Sequence, residues 1–308
     1  MASTNLQQYQ STSAAIGEPV CIWPAGAALG EGPCWSESEQ ALYWVDILNR
    51  TLNRHAPYAP THKQRSWTFD EEISAVAERA NGAGLLVSMR HGFAFFDPLT
   101  GILEHVAHPE YHLPENRFND GKCDRAGRFW AGSMHFGCSQ PTGSLYRLDS
   151  DLHCVRVDSN YTITNGPTWS LDQKSFYHND SARRHVYIFD FDALTGELAN
   201  KRLFLEFGAD EGVPDGMTTD AEGGLWIAHW GAGKLTRRDS DGVVIDTIRL
   251  PCSQVTSCVF GGPDLRTLFI TTAAVGLDAS QLAREPLAGG LFAVEMTVAG
   301  QPPNVFRG

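Results

Sequence analysis

The sequence predicts an all-β protein, a six-bladed β-propeller with four antiparallel strands in each blade, and three observations lead to this prediction. A unit of roughly 45 residues recurs along the chain. Each unit contains short strand-like runs separated by turn residues, and the 3.6-residue periodicity of amphipathic helices is nearly absent. We therefore expect a single propeller domain over residues 17–308, preceded by a flexible tail over residues 1–16.

The repeat is clearest from one large apolar residue that each unit places in its second strand. These anchors are Trp44, Leu86, Trp130, Tyr177, Trp226 and Phe269. Successive anchors lie 42, 44, 47, 49 and 43 residues apart, which is the spacing of propeller blades. The six units leave a strand-like N-terminal segment, EPVCIW at 18–23, unassigned. We expect it to pair into the last blade, where it closes the ring and covers a free strand edge.

The strands of single units can also be placed. In the third unit the runs NDGKCD, RFWAGSM, GSLYRLDS and HCVRVDS follow one another between turn residues such as Arg-Ala-Gly. The fifth unit repeats the scheme with DGMTTD, GLWIAHW, KLTRRDS and VVIDTIRL. Four short strands per unit are what a propeller blade requires.

Polar residues at one repeat position are expected to meet on the axis, because the first strand of each blade lies innermost. Counting back 11 to 13 residues from the anchors gives Glu31, Ser74, Asn119, Asn165, Asp215 and Ser257. Two confined carboxylates repel each other unless a cation neutralises them or one takes up a proton. Since all these donors are oxygens, the ring favours one divalent cation, such as Ca, Mg, Mn, Fe(II) or Zn. The alternative is a water-filled channel lined by polar residues.

Six motifs in chain order carry a family resemblance. They are GEGP (30–33), RFNDGKCDRAGRFWAGSM (117–134), NGPTWS (165–170), YHNDS (177–181), PDGM (214–217) and TSCVFGG (256–262). Together they resemble the senescence marker protein, gluconolactonase and luciferin-regenerating enzyme family, which includes regucalcin. The resemblance covers nearly the whole chain and implies a six-bladed propeller with one divalent cation in its channel.

The resemblance also implies roles for single residues. Glu31, Asn165 and Asp215 correspond to the metal-binding residues of the family, and Arg117 and Asn119 to residues that contact sugar hydroxyls. The count along the repeat reaches all of these except Arg117. One stretch departs from the animal members, which carry acidic residues shortly after the Met of the second motif. The corresponding segment here, MHFGCSQPTG at 134–143, has no carboxylate and contains His135. The pocket therefore looks more like those of microbial sugar lactonases.

The family resemblance implies hydrolysis of a sugar lactone to an aldonic acid. The expected substrate is an aldono-1,4- or aldono-1,5-lactone derived from a pentose or a hexose. The cation would polarise the carbonyl, Asp215 would act as general base, and Arg117 and Asn119 would orient the ring. Two alternatives stay open: a metal-dependent esterase or organophosphate hydrolase on the same site, and a calcium-binding regulatory propeller without enzymatic activity. The sequence has no GxSxG elbow, phosphate loop or dinucleotide fingerprint.

Other polar residues permit two interpretations each. His105, His108 and His112 could form a metal cluster, but a solvated rim loop is favoured because no helical spacing supports a cluster. His229 could contact substrate, although packing is favoured. Asp120 and Asp180 could support the site residues or stabilise turns.

Composition narrows the partners and the compartment. The chain has 308 residues, 42% of them hydrophobic and 19% charged, as in ordinary globular proteins. A net charge of −12 disfavours nucleic acid as a partner but not a neutral small molecule. The first twenty residues contain no basic residue and no apolar run, and no segment resembles a membrane span. The seven cysteines form no CxxC pair, so we expect a cytoplasmic protein with reduced thiols, either monomeric or weakly homo-oligomeric.

Overall fold

The computed structural model describes residues 13–61, 63–82 and 84–308. The described residues form six sheets, each of four antiparallel strands, arranged as the blades of a propeller. Helical structure is limited to one short helix, α1 (Ala279–Arg284), and three single 3-10 turns within these ranges. No helix in the described ranges has the length and apolar character needed to cross a membrane. The predicted fold class is confirmed.

The strands follow the chain blade by blade, except that the first strand, β1 (Ala15–Trp23), belongs to the last blade. Blade 1 contains β2 (Gly30–Ser36), β3 (Ala41–Asp46), β4 (Thr51–His55) and β5 (Gln64–Thr68). Blade 2 contains β6 (Ile73–Glu78), β7 (Leu85–Met89), β8 (Phe93–Phe96) and β9 (Leu103–Ala107). Blade 3 contains β10 (Asn116–Cys123), β11 (Phe129–His135), β12 (Gly143–Leu148) and β13 (Cys154–Tyr161).

The second half of the ring continues in the same order. Blade 4 contains β14 (Thr164–Trp169), β15 (Ser175–Asp180), β16 (His185–Phe191) and β17 (Leu198–Glu206). Blade 5 contains β18 (Val213–Thr219), β19 (Leu225–Trp230), β20 (Lys234–Arg238) and β21 (Val244–Arg249). Blade 6 contains β22 (Val255–Gly261), β23 (Thr267–Thr272) and β24 (Leu291–Met296), with β1 as its outermost strand.

The N-terminal strand closes the ring as the sequence predicts. β1 pairs antiparallel with β24, with Val20 opposite Ala293 and Cys21 opposite Phe292. This pairing joins the two ends of the chain in one blade and covers the backbone edge of β24. β1 begins at Ala15, inside the segment assigned to the tail. Residues 1–12 of that tail lie outside the described residues.

The third and fifth units share an aspartate, a Gly turn and a tryptophan, and this shared pattern has a structural cause. The indole N–H of Trp130 donates to Asp124 (3.0 Å), and that of Trp226 donates to Asp220 (2.9 Å). Both tryptophans are fully buried, and a buried indole N–H needs a partner. The aspartate, the Gly turn and the tryptophan therefore act together, joining the end of an innermost strand to the second strand of its blade.

Candidate active site on the propeller axis

In each blade, a β-bulge in the innermost strand determines the direction of the ring residue's side chain. In β2 the pairing register shifts between Glu31 and Cys34, and in β18 it shifts between Pro214 and Met217. The other four innermost strands, β6, β10, β14 and β22, shift at the equivalent position. A bulge adds local twist and turns a side chain out of the regular alternation of the sheet. The repeat position found by counting is thus the one at which every blade departs from regular pairing.

The five predicted site residues meet in one cavity on the axis, which we call the axial cavity. It has a volume of about 350 Å³. Its polar lining includes all five residues: Glu31, Arg117, Asn119, Asn165 and Asp215. All five are buried, with at most 6% of their surface exposed, so they form the cavity floor. The remaining two ring residues, Ser74 and Ser257, are buried but do not line the cavity.

A directed chain of hydrogen bonds crosses the floor. Arg117 Nη1 donates to Asn119 Oδ1 (2.6 Å), and Asn119 Nδ2 donates to Asn165 Oδ1 (2.7 Å). Asn165 Nδ2 donates to Ser181 Oγ (2.9 Å), which in turn donates to the carbonyl of Pro214 (2.6 Å). The chain runs from blade 3 to blade 5 and fixes the orientation of both amides. Sequence reasoning missed Ser181, although it ends the YHNDS motif.

The two carboxyl groups of the floor are not satisfied in this way. Asp215 Oδ1 is buried and has no hydrogen-bond partner among the described residues. Glu31 Oε2 accepts from the amide of Gly32 (2.8 Å). Burial, together with the negative charge of Asp120, raises the pKa of Glu31 to about 8. Burial and the nearby charge of Glu31 raise the pKa of Asp215 well above its usual value. Two desolvated carboxyls side by side are unfavourable as a charged pair without a cation.

The donor set fits a hard divalent cation. Glu31 and Asp215 offer carboxylate oxygens, Asn165 offers an amide oxygen, and the unpartnered Asp215 Oδ1 is an acceptor with no competing donor. Within the described ranges no group of three or more His, Cys, Asp or Glu side chains is placed to hold a metal. A cation at the floor would therefore depend on the amide of Asn165 and on water besides the two carboxylates.

Arg117 is the charged donor of the floor. Its Nη1 also donates to the carbonyl of Phe118 (2.9 Å), and its guanidinium lies 5.8 Å from the ring centre of Phe136. Burial lowers the pKa of Arg117, although an arginine remains charged at neutral pH. These contacts hold the side chain against the cavity wall.

Asp120 and Asp180, for which the sequence left two interpretations open, have different hydrogen-bond partners. Asp120 accepts from the amides of Gly121 and Gly166, both at 2.7 Å. Since Gly166 follows Asn165, Asp120 supports the backbone of a floor residue. Asp180 accepts from the amides of Thr162 (3.0 Å) and Ile163 (3.2 Å), so it stabilises the turn that leads into β14.

The histidines lie outside the floor. His229 is fully buried, its ring nitrogens contact the carbonyl of Glu211 (2.7 Å) and the hydroxyl of Thr236 (2.8 Å), and it does not line the cavity. The favoured interpretation, packing, agrees with this environment. The three histidines assigned to a solvated rim loop are exposed (His105, His108 and His112), but His105 lies in β9 and not in a loop. The ring of His135 accepts from the amide of Gly137 (3.1 Å), and His135 does not line the cavity, although its neighbour Phe136 does.

An apolar group of side chains, which sequence reasoning missed entirely, surrounds the floor. We call it the collar, and it consists of Leu48, Phe136, Ile163, Val213, Trp230 and Val275. All six are partly exposed, whereas the floor residues are buried, so the collar lies nearer the mouth. Its members come from turns and strand ends of five blades at unequal repeat positions. No periodic signal in the sequence marks them.

Fold and site together define a six-bladed propeller with a small-molecule cavity on its axis and an oxygen-rich floor. Residues 29–274 match the family described as SMP-30/Gluconolactonase/LRE-like region, and the chain belongs to this family. It is 37% identical to regucalcin of Danio rerio over 292 residues, covering 94% of this chain and 98% of the relative. It is 34% identical over 283 residues to a Bacillus subtilis (strain 168) protein with the provisional name sugar lactone lactonase YvrE, covering 92% and 96%.

The solved structures agree with the fold. A calcium-binding protein, regucalcin, from Agrobacterium tumefaciens str. C58 superposes with a TM-score of 0.89 at 28% identity. The superposition covers 94% of this chain and 97% of that chain. The resemblance found in the sequence motifs is thereby confirmed.

Proposed function

We propose that the protein hydrolyses the ring ester of a sugar lactone and that this activity depends on one divalent cation. The observation that carries the proposal is the unpartnered oxygen of Asp215 beside Glu31, at the floor of a cavity of small-molecule size. Among the buried polar atoms without a partner in the described residues, this is the only one whose residue lines the axial cavity, and a carboxylate oxygen placed there favours a ligand. Membership of a family that includes gluconolactonase, and a relative with a sugar-lactonase name, support the choice of substrate.

The cation would be held by Glu31, Asn165 and Asp215. Their oxygen donors suit Ca²⁺, Mg²⁺ or Mn²⁺, and also admit Zn²⁺ or Fe²⁺. The calcium-binding description of the Agrobacterium relative supports calcium as the first ion to test. When bound, such a cation polarises the lactone carbonyl and offsets the negative charge that develops on its oxygen.

The chain's own residues supply the remaining chemistry. Asp215 is the proposed general base: one of its carboxylate oxygens would hold the cation, and the other would accept a proton from the attacking water. The water oxygen bonds to the carbonyl carbon, the ring C–O bond breaks, and the proton passes to the released ring oxygen. The product is a hydroxy acid. Arg117 is positioned to donate to the substrate, and the floor hydrogen bonds hold Asn119 and Asn165 in fixed orientations.

The proposal extends to a substrate class, a cellular compartment and an oligomeric state. We take aldono-1,4- and aldono-1,5-lactones of pentoses and hexoses as the first substrates to test. The seven cysteines are all free, which suits a reducing compartment and hence the cytoplasm. A monomer or weak homo-oligomer is proposed, with no nucleic-acid or membrane partner.

Calcium binding without catalysis is the second candidate, favoured by the description of the Agrobacterium relative. The same floor residues would hold the ion in that case. An esterase or organophosphate hydrolase would use the same floor as well, and a panel of esters tests it alongside the lactones.

The deciding experiment uses protein stripped of metal by chelation and then reconstituted with single divalent ions. Hydrolysis of D-glucono-1,5-lactone and D-xylono-1,4-lactone is followed by acid release, and ion binding is followed by calorimetry. Asp215→Asn is the test variant. Asp210→Asn, which alters an exposed aspartate in a 3-10 turn, is the matched control. Ion-dependent hydrolysis that is lost only in Asp215→Asn supports the proposal. Ion binding without hydrolysis of any lactone or ester supports the second candidate.

A further inference from the structure

The polar groups of the cavity floor are largely engaged with one another. Both amide hydrogens of Asn119 are donated, one to the carbonyl of Thr164 (2.7 Å) and one to Asn165 Oδ1 (2.7 Å). The amide of Asn165 both accepts and donates, and Ser181 donates to a backbone carbonyl. Among the side chains that line the cavity, the remaining donors are the guanidinium of Arg117, the second amide hydrogen of Asn165 and the indole N–H of Trp230.

The remaining hydrogen-bond acceptors of the floor are those proposed to bind the cation. Glu31 and Asp215 retain free oxygens, but these are the groups proposed to bind the cation. A fully hydroxylated sugar lactone brings several hydroxyls, each of which loses its water on entry. A buried hydroxyl without a partner is costly. These few donors serve an ester group and some hydroxyls, whereas most of the remaining cavity lining is apolar and offers a hydroxyl no partner.

Above the floor, the collar presents apolar surface to whatever occupies the cavity. Its six side chains come from blades 1, 3, 4, 5 and 6, so they surround most of the axis. Each is partly exposed, which means that its apolar surface is available for burial by a ligand. Burying such surface drives binding roughly in proportion to the area removed from water.

The cavity is also larger than a bare lactone ring needs. Its volume of about 350 Å³ lies in the range of pockets that enclose drug-sized ligands. A ring ester at the floor leaves room in the collar for a further group of several carbons.

We propose that the preferred substrates are lactones that carry an apolar substituent, alkyl or aryl, beside the ring, in place of the hydroxyls of an aldonolactone. The ring ester lies at the floor and the substituent lies in the collar. This inference rests on the proposed ion-dependent lactone hydrolysis, and it replaces sugar lactones by apolar lactones as the preferred substrates.

Three lactones with the same six-membered ring test the preference: D-glucono-1,5-lactone, unsubstituted δ-valerolactone and δ-decalactone with its pentyl chain. Each kcat/KM is divided by the rate of hydroxide-catalysed hydrolysis of the same compound, which removes differences in ring reactivity. We expect the corrected value for δ-decalactone to exceed that for gluconolactone by at least about tenfold, the effect of burying roughly two methylenes. An equal or higher corrected value for gluconolactone overturns the inference.

Variants of the collar test whether it causes the preference. Val275→Thr and Val213→Thr keep the side-chain shape and add a hydroxyl to the collar. We expect each to lower kcat/KM for δ-decalactone by about three- to tenfold and to affect δ-valerolactone much less. Val243→Thr, in an exposed loop before β21, is the matched control and should leave both values unchanged. Equal losses on both substrates, or no loss on δ-decalactone, contradict a role for the collar. Melting temperatures confirm that the variants are folded.

The outcomes separate this inference from the proposed function. If none of the three lactones is hydrolysed with any divalent ion, the proposed function fails, and the inference fails with it. If ion-dependent hydrolysis occurs and gluconolactone is preferred, the inference alone fails.

Discussion

The buried charged side chains at the two ends of the central channel differ in their hydrogen-bond partners. At the wide end, which is the axial cavity, Asp215 Oδ1 lies beside Glu31 and has no partner in the part of the chain that the structure describes. Toward the narrow end, Asp120 has both oxygens occupied by backbone amides, and Lys122 Nζ donates to the carbonyl of Met217 (2.6 Å). The pocket there has a volume of only about 100 Å³, against about 350 Å³ at the wide end.

This difference separates a carboxylate that the fold pairs from one that it leaves partly unpaired. Asp120 and Asp215 have the same chemistry and similar burial. The fold satisfies Asp120 completely, which shows that this environment can supply partners to a carboxylate. It leaves Asp215 incomplete, and buried groups are otherwise satisfied in stable proteins. The free oxygen of Asp215 in the axial cavity is consistent with the proposed cation site.

The largest expected effect is loss of activity when a wide-end carboxylate is neutralised. Glu31→Gln and Asp215→Asn should each lower kcat/KM for lactones by at least about a hundredfold and weaken binding of the divalent cation, because each removes a charged ligand. Steady-state kinetics and calorimetric titration measure the two effects. A folded variant with near-normal turnover would remove that residue from the mechanism.

The next effect contrasts the two ends in stability, with opposite signs. Asp120→Asn should lower the free energy of unfolding by about 1–3 kcal/mol, because one of the two backbone amides then faces an amide NH₂ instead of an acceptor. Asp215→Asn should stabilise the protein in chelator at neutral pH, because the raised pKa of Asp215 means that folding must bury its charge or take up a proton, and an amide requires neither. Urea unfolding in excess chelator measures both changes. A loss of stability in both variants would show that Asp215 has a structural partner in solution.

Much of the fold and the floor could be predicted because they follow from periodicity. The apolar anchors located six blades, and a fixed distance before each anchor located Glu31, Asn119, Asn165 and Asp215. The distance is kept because each innermost strand bulges at the same point. Arg117 precedes this position in β10 and was found only through the family motif.

The collar and the floor network could not be predicted in the same way. Val275 and Leu48 lie in turns whose lengths differ from blade to blade, so no repeat position describes them. The polar character of Asn119 suggested a substrate contact, but its type does not reveal that both amide hydrogens are already donated. Such saturation depends on distances between blades. It therefore appears only in three dimensions.

A smaller effect is expected for the charged donor of the wide end. Arg117→Ala should lower kcat/KM for D-glucono-1,5-lactone about tenfold more than for δ-valerolactone, since a guanidinium hydrogen bond to a ring hydroxyl is worth about 1.5–3 kcal/mol. Arg117→Lys should recover part of this difference, because it restores one charged donor. The measurement is kcat/KM on both substrates for each protein. Equal losses on both would show that Arg117 serves the carbonyl oxygen and not the ring substituents.

The smallest expected effect is on the affinity for the divalent cation, and it concerns Lys122, the charged side chain at the narrow end. Lys122→Met keeps an unbranched side chain, one atom shorter, but removes the charge and the hydrogen bond to the carbonyl of Met217. The loss of one such bond should lower the free energy of unfolding by about 1–3 kcal/mol, less whatever the thioether regains by packing. The charge of Lys122 lies close enough to Asp120 and Glu31 to interact with both. A positive charge near the floor disfavours a second one, so its removal should tighten binding of the divalent cation by a few-fold.

Calorimetric titration of Lys122→Met and of the wild type with the same ion measures the effect of Lys122 on ion affinity. Both proteins are first stripped of metal, and urea unfolding gives the change in stability. Tighter binding together with lower stability would show that Lys122 acts on the floor through its charge and on the fold through its hydrogen bond. Weaker binding would show instead that the bond to Met217 holds β18 in place and, through β18, positions Asp215 for the ion. The two ends of the channel would then be coupled mechanically as well as electrostatically.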